Sequence, residues 1–121
     1  MKHITKETEK KIRTAASAVA ELETGCRNQR EAEEDFTIAQ VRRFAKDVKK
    51  LPKEYKILYT RNENLGTKKW PHMVTTVEYA TVERATTVRE TEASYILETK
   101  YTETRTHKEV ISKARIIAFV F

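Results

Sequence analysis

Two hydrophobic periods run through this chain, one strand-like and one helix-like. From Met73 to Phe121 there is no Gly, Pro or Asn, and Thr, Val, Ile, Tyr and charged residues dominate. β-Branched and aromatic residues suit a pleated, half-buried surface, so this block predicts long antiparallel strands. One runs from Met73 to about Arg89. Thr75, Thr76, Thr81, Thr86 and Thr87 favour it over a competing helix at residues 76–90, because β-branched side chains lose freedom in helices. A second strand spans Tyr95 to about Arg105, with Tyr95, Leu97, Thr99 and Tyr101 on one face and Glu98 and Lys100 on the other. A turn at Thr106 to Glu109 leads to a last strand, Val110 to Phe121. Upstream, Tyr55 to Thr60 reads as a first strand, followed by a loop from Asn62 to Lys69 punctuated by Asn64 and Gly66.

The N-terminal half has helical spacing. Thr5 is placed to cap a helix running to about Thr24, with Glu7 and Glu9 in its first turn and Gly25 as its stop. Ile12, Ala15, Ala16, Val19 and Leu22 form one narrow stripe for packing. Residues 26–36 are polar. Asn28 with Glu31 suits a cap for an extra turn, and Glu31, Glu33, Glu34 and Asp35 read as a solvated face. Thr37 with Gln40 makes a capping box, and Phe36 with Val41 a hydrophobic staple, for a second helix from Ile38 to about Lys50. Pro52 disfavours helix at Leu51. Val41, Phe44, Ala45, Val48 and Leu51 project to the core side of this helix, and Arg42, Lys46 and Lys49 to the other.

These elements predict a single α+β domain over residues 1–121: two N-terminal helices on one face of a four-stranded antiparallel β-meander with long strands. The layout is similar in outline to cystatin-like and NTF2-like arrangements, without a motif of either. A strand of about sixteen residues spans about 53 Å at ~3.3 Å each, so it must bend, bulge or reach into a partner. Ile116 to Phe121 is apolar in succession, which demands burial on both faces. With only two helices to hand, the expected second cover is another copy of the chain, with Ile116, Ile117, Phe119 and Phe121 at a homo-oligomer interface.

Charge changes the picture more than composition does. The formal net charge is +6. Residues 1–50 hold 12 basic and 9 acidic side chains, residues 51–72 hold 5 and 2, and residues 73–121 hold 7 and 7. The positive field therefore belongs to the helices and the connection into the sheet, which favours an anionic partner. Cys26 is the single cysteine, so no intrachain disulfide forms and a reducing, cytoplasmic setting is expected. No apolar run is long enough to span a membrane, and Glu7 and Glu9 interrupt any signal-peptide core.

The candidate chemistry is cationic. Arg42, Arg43, Lys46, Lys49, Lys50, Lys53 and Lys56, with Lys68 and Lys69 beside Trp70, are the residues expected to bind nucleic acid or another phosphate-bearing ligand. Trp70, Tyr55 or Tyr59 would serve as stacking platforms. The plain alternative is a solvated helix face with Trp70 packed under its loop. His3, His72 and His107 show no metal-ligand spacing, and no phosphate loop, nucleophile elbow or CxxC occurs. His107 near Glu103, Arg105 and Glu109 is the one candidate acid–base group, and Glu90 with Glu92 the one carboxylate pair. The expectation is a non-enzymatic binding protein without metal or cofactor. The alternative is a protein-interaction module, a small inhibitor or assembly factor, acting through the sheet.

Overall fold

A computed structural model describes residues 1–23 and 28–121. The predicted Gly25 helix stop and Cys26 lie outside the described residues. In chain order the elements are β1 (Lys2–Ile4), α1 (Lys6–Glu21), α2 (Gln29–Phe44), β2 (Lys46–Asp47), β3 (Tyr55–Asn64), β4 (Met73–Val82), β5 (Thr86–Glu90), β6 (Ser94–Lys100), β7 (Thr106–Ser112), a 3-10 turn (Lys113–Arg115) and β8 (Ile116–Val120).

The α+β class with two N-terminal helices stands, but the single meander does not. Two sheets form: a mixed five-stranded sheet in the order β2-β1-β8-β3-β4, and an antiparallel three-stranded sheet in the order β5-β6-β7. The expected strand from Met73 to Arg89 breaks at residues 83–85. There the Thr86 amide donates to the Glu83 carbonyl at 3.0 Å, and the Glu83 amide to the Thr86 hydroxyl at 3.2 Å. The expected last strand also breaks, at the 3-10 turn, so its first half lies in the small sheet and its second in the large one. The long strands thus bend from one sheet into the other. The turn expected at Thr106 to Glu109 sits instead before Thr106, where the Tyr101 amide donates to the Arg105 carbonyl at 2.9 Å.

Three layers result. Ile4, Ile12, Val41, Leu58, Ile117, Ala118 and Val120 fill the space between the helices and the large sheet. Tyr55, Ile57, Ala80, Val82, Tyr95, Leu97, Ile111 and Phe119 fill the space between the two sheets. β8 runs through the middle, parallel to β1 and antiparallel to β3. Its pairing with β3 shifts between Leu58 and Tyr59, which leaves Ile117 as an extra residue and turns both Ile117 and Ala118 towards the helices. The continuous apolar run at Ile116 to Phe121 is explained by this position, since a strand covered on both faces needs no polar side. The second cover assigned to another copy is the small sheet of the same chain. Phe119 is buried between the two sheets and Ile117 beneath the helices, and Ile116 and Phe121 pack half-buried against the core between the sheets.

The helices correct a boundary. Thr5 caps α1 as expected, its hydroxyl accepting from the Thr8 amide at 3.1 Å. α2, however, begins at Gln29, capped by Asn28, whose Oδ1 accepts from the Arg30 amide at 2.8 Å. Thr37 is no cap: it is buried in mid-helix and its hydroxyl donates to the Glu33 carbonyl at 2.8 Å. Residues 29–36 hold good helix formers and no Gly or Pro, so one strong cap suffices to start them. Their carboxylates are not simply solvated. Glu34 accepts from the Val77 amide at 2.6 Å, Glu31 lies 3.2 Å from His72 Nε2, and Arg30 on the same turn bonds Glu63 at 2.8 Å. This acidic run straps α2 to the β3–β4 hairpin, and burial pushes the Glu34 carboxyl up despite the Val77 amide. Asn28→Ala is expected to cost ~1 kcal/mol, because an opening amide of α2 then loses its acceptor. Denaturant melts of the variant and parent with coincident midpoints would remove the cap.

Candidate nucleic-acid interface

α2 ends at Phe44 because the chain is claimed by the large sheet. Ala45 is already extended, Lys46 pairs with His3 and Asp47 with Lys2. The Val48 amide then donates to the Met1 carbonyl at 2.8 Å. The helix that sequence carried to Lys50 is therefore replaced by a short edge strand and an irregular segment. Arg42 and Arg43 lie in the last turn of α2, Lys46 on the edge strand β2, and Lys49, Lys50 and Lys53 in the segment that follows, and all six are exposed. Asp47 is the one acid between Arg42 and Lys53, and Lys2 holds it at 3.2 Å. Among the described residues no carboxylate lies within ion-pair distance of any of the six. Elsewhere Lys11, Arg13, Arg30, Lys56, Arg84 and Lys113 each have a carboxylate within 4.0 Å, whereas Lys6, Lys10, Lys68 and Lys69 have none among the described residues.

The other residues expected in the interface are placed apart from that edge. Lys56 lies on β3 with its ammonium 3.9 Å from Glu9 and 5.1 Å from the Tyr79 ring centroid. Lys68, Lys69 and Trp70 occupy the tip of the β3–β4 hairpin, beside the N-terminal end of α2. The 16 residues of α2 rise about 24 Å at ~1.5 Å each, so tip and basic edge sit at opposite ends of that helix. Trp70 is not packed under its loop; it is 75% exposed. Tyr55 is buried against Phe119, and Tyr59 is half-buried, so neither offers a free ring face.

The aromatic residue that sequence reasoning missed is Phe44. It was assigned to the core side of a helix continuing to Lys50, but the helix stops beneath it and leaves it 49% exposed. The Arg43 guanidinium carbon lies 5.5 Å from its ring centroid. Phe44 lines a groove of about 320 Å³ between α1 and α2 together with Ile12, Ala15 and Phe36. The signal in sequence was a large apolar residue wedged between Arg43 and Lys46.

The acid–base candidates do not assemble. His3 stacks on the Phe121 ring at 3.7 Å between centroids, and His72 is held by Glu31. Glu90 bonds Lys113 at 2.6 Å, which holds its carboxyl low, and Glu92 is exposed in the following turn. Among the described residues no three His, Cys, Asp or Glu side chains are placed to hold a metal. His107 and Glu109 do share a cleft of about 330 Å³ with Glu83, Thr99 and Tyr101, at the open end of the gap between the sheets. Glu109 is engaged there: it accepts from the Tyr59 hydroxyl at 2.8 Å and so ties the two sheets together.

Burial, and then that hydrogen bond, push the Tyr59 hydroxyl up to about 12. A phenol held neutral in the fold but free to ionise at about 10 when unfolded stabilises the fold below pH 10. That contribution is lost as pH rises towards 12. Stability should therefore fall over pH 10–12, and Tyr59→Phe should flatten the fall. An absorbance titration in which the variant still shows the highest tyrosine step would refute the assignment.

No helix among the described residues is long and apolar enough to cross a membrane. No family model, curated protein or solved structure matches the chain.

Proposed function

We propose that the chain is a non-enzymatic binding protein whose basic edge engages a phosphate-bearing polymer, a nucleic acid. The observation that supports this reading is the run of six exposed cations from Arg42 to Lys53, close in sequence and without carboxylate partners among the described residues. Phosphate recognition needs several cations close together on one face with little competition from nearby acids, and this edge meets both conditions. Arg42 and Arg43 supply planar forks for phosphate oxygens, and the lysines supply mobile point charges. Part of the clustering also serves the helix, since cations suit the C-terminal end of its dipole. That accounts for Arg42 and Arg43, but not for Lys46, Lys49, Lys50 and Lys53, which lie beyond α2. The hairpin tip with Lys68, Lys69 and Trp70 is a separate surface and is left out of the primary contact. The experiment is fluorescence anisotropy with labelled oligonucleotides over a range of salt. Binding at low salt that weakens steeply as salt rises supports the reading, and no binding at low salt overturns it.

A further inference from the structure

Resting on the phosphate-binding reading of the basic edge, we infer that the groove between α1 and α2 is a nucleobase slot, so that the polymer is single-stranded. Phe44 belongs both to the groove and to the cationic edge. A half-exposed phenylalanine flanked by unpaired cations has no internal packing reason for its position. The groove it lines is mainly apolar, with Ile12, Ala15 and Phe36, and also carries the polar side chains Thr8, Lys11 and Gln40. That is the chemistry of a flat heterocycle with a charged backbone. The apolar side chains and the Phe44 ring take the base faces. The Gln40 amide offers a donor and an acceptor to the base edge, and the Thr8 hydroxyl, which accepts from the Thr5 hydroxyl at 2.9 Å, offers its proton. Arg43 stands beside the slot where a flanking phosphate would pass, while Lys11 is paired with Glu7 at 3.3 Å. A duplex keeps its base faces stacked inside and offers this slot nothing, although its phosphates still reach the cations.

The test compares a single strand and a duplex of the same length and composition at one salt concentration. The proteins are the parent, Phe44→Ala, Ala15→Glu and Phe44→Trp. Ala15 and Phe44 are exposed enough for all three variants to fold, which far-ultraviolet circular dichroism checks. The parent is expected to bind the single strand more tightly. Phe44→Ala and Ala15→Glu should lose at least about tenfold on the single strand. Both should keep their duplex affinity, apart from the small repulsion of the added Glu, and Phe44→Trp should bind like the parent. Equal binding of strand and duplex by the parent, or equal losses on both, overturns the slot and leaves the basic edge standing. No binding of either by the parent overturns both, as does binding of an acidic helical peptide in the absence of any oligonucleotide binding.

Discussion

Replacing Phe119 by alanine lowers the stability of the fold by about 3–5 kcal/mol, a large share of the roughly 5–15 kcal/mol that holds an ordinary domain together. Phe119 is 3% exposed and stands on β8, the middle strand of the large sheet. Its ring meets Tyr55 and Tyr95 edge-on, each at 5.8 Å between centroids. Tyr55 belongs to the adjacent strand β3, but Tyr95 belongs to β6 of the other sheet, so this one side chain joins the two sheets. Truncation loses the transfer energy of the ring, the edge-to-face contacts and the packing around the cavity left behind. The large sheet cannot collapse into that space without separating from the helices on its other face. Urea titration should show the midpoint falling by most of its parent value, with Phe119→Leu in between. A Phe119→Ala midpoint close to the parent's would mean that the sheets do not share a core.

What the sequence made legible was periodic and local. Tyr95, Leu97 and Thr99 do share the inner face of β6, although Tyr101 falls beyond the strand and is exposed, and Thr5 does cap α1. The strand breaks were not legible, for a physical reason. Val74, Thr76, Ala80 and Val82 before the turn at residues 83–85, and Thr86 and Val88 after it, keep the same alternation, so inward parity passes through the bend undisturbed. No Gly, Pro or Asn marks the place, because backbone and Thr86 hydroxyl bonds close the turn without a positive φ. β1 was invisible for another reason. Three residues carry no period, and their structure comes from pairing with β8, more than a hundred positions away. The start of α2 was misplaced because Thr37 with Gln40 satisfies the local rule for a cap, while the helix already running from Asn28 overrides it. The site suffered from that same error. A helix carried on to Lys50 buries Phe44; a helix ended by the pull of β2 exposes it among the cations.

Reversing Arg42, Lys46 and Lys49 to Glu should abolish oligonucleotide binding and leave the fold intact. All three are exposed and none has a carboxylate partner among the described residues, so no native contact is broken. The cost to the fold is confined to an acid at the C-terminal end of the α2 dipole, about 0.3–1 kcal/mol. The effect on binding is far larger. If all six cations from Arg42 to Lys53 meet phosphates of a single strand, log K falls against log salt with a slope of about −4. That is about 300-fold between 50 and 200 mM salt. Each removed contact flattens the slope by about 0.7, and each introduced carboxylate adds repulsion at the same place. The hairpin tip supplies the control: Lys68→Glu with Lys69→Glu adds two like reversals to the net charge, but at the far end of α2. A field effect of net charge alone would weaken binding in both variants in proportion to their three and two reversals, whereas a defined edge predicts loss in the first and near-parent affinity in the second. Parent-like binding by the Arg42/Lys46/Lys49 variant, or equal loss in the hairpin variant, would remove the edge as the contact surface.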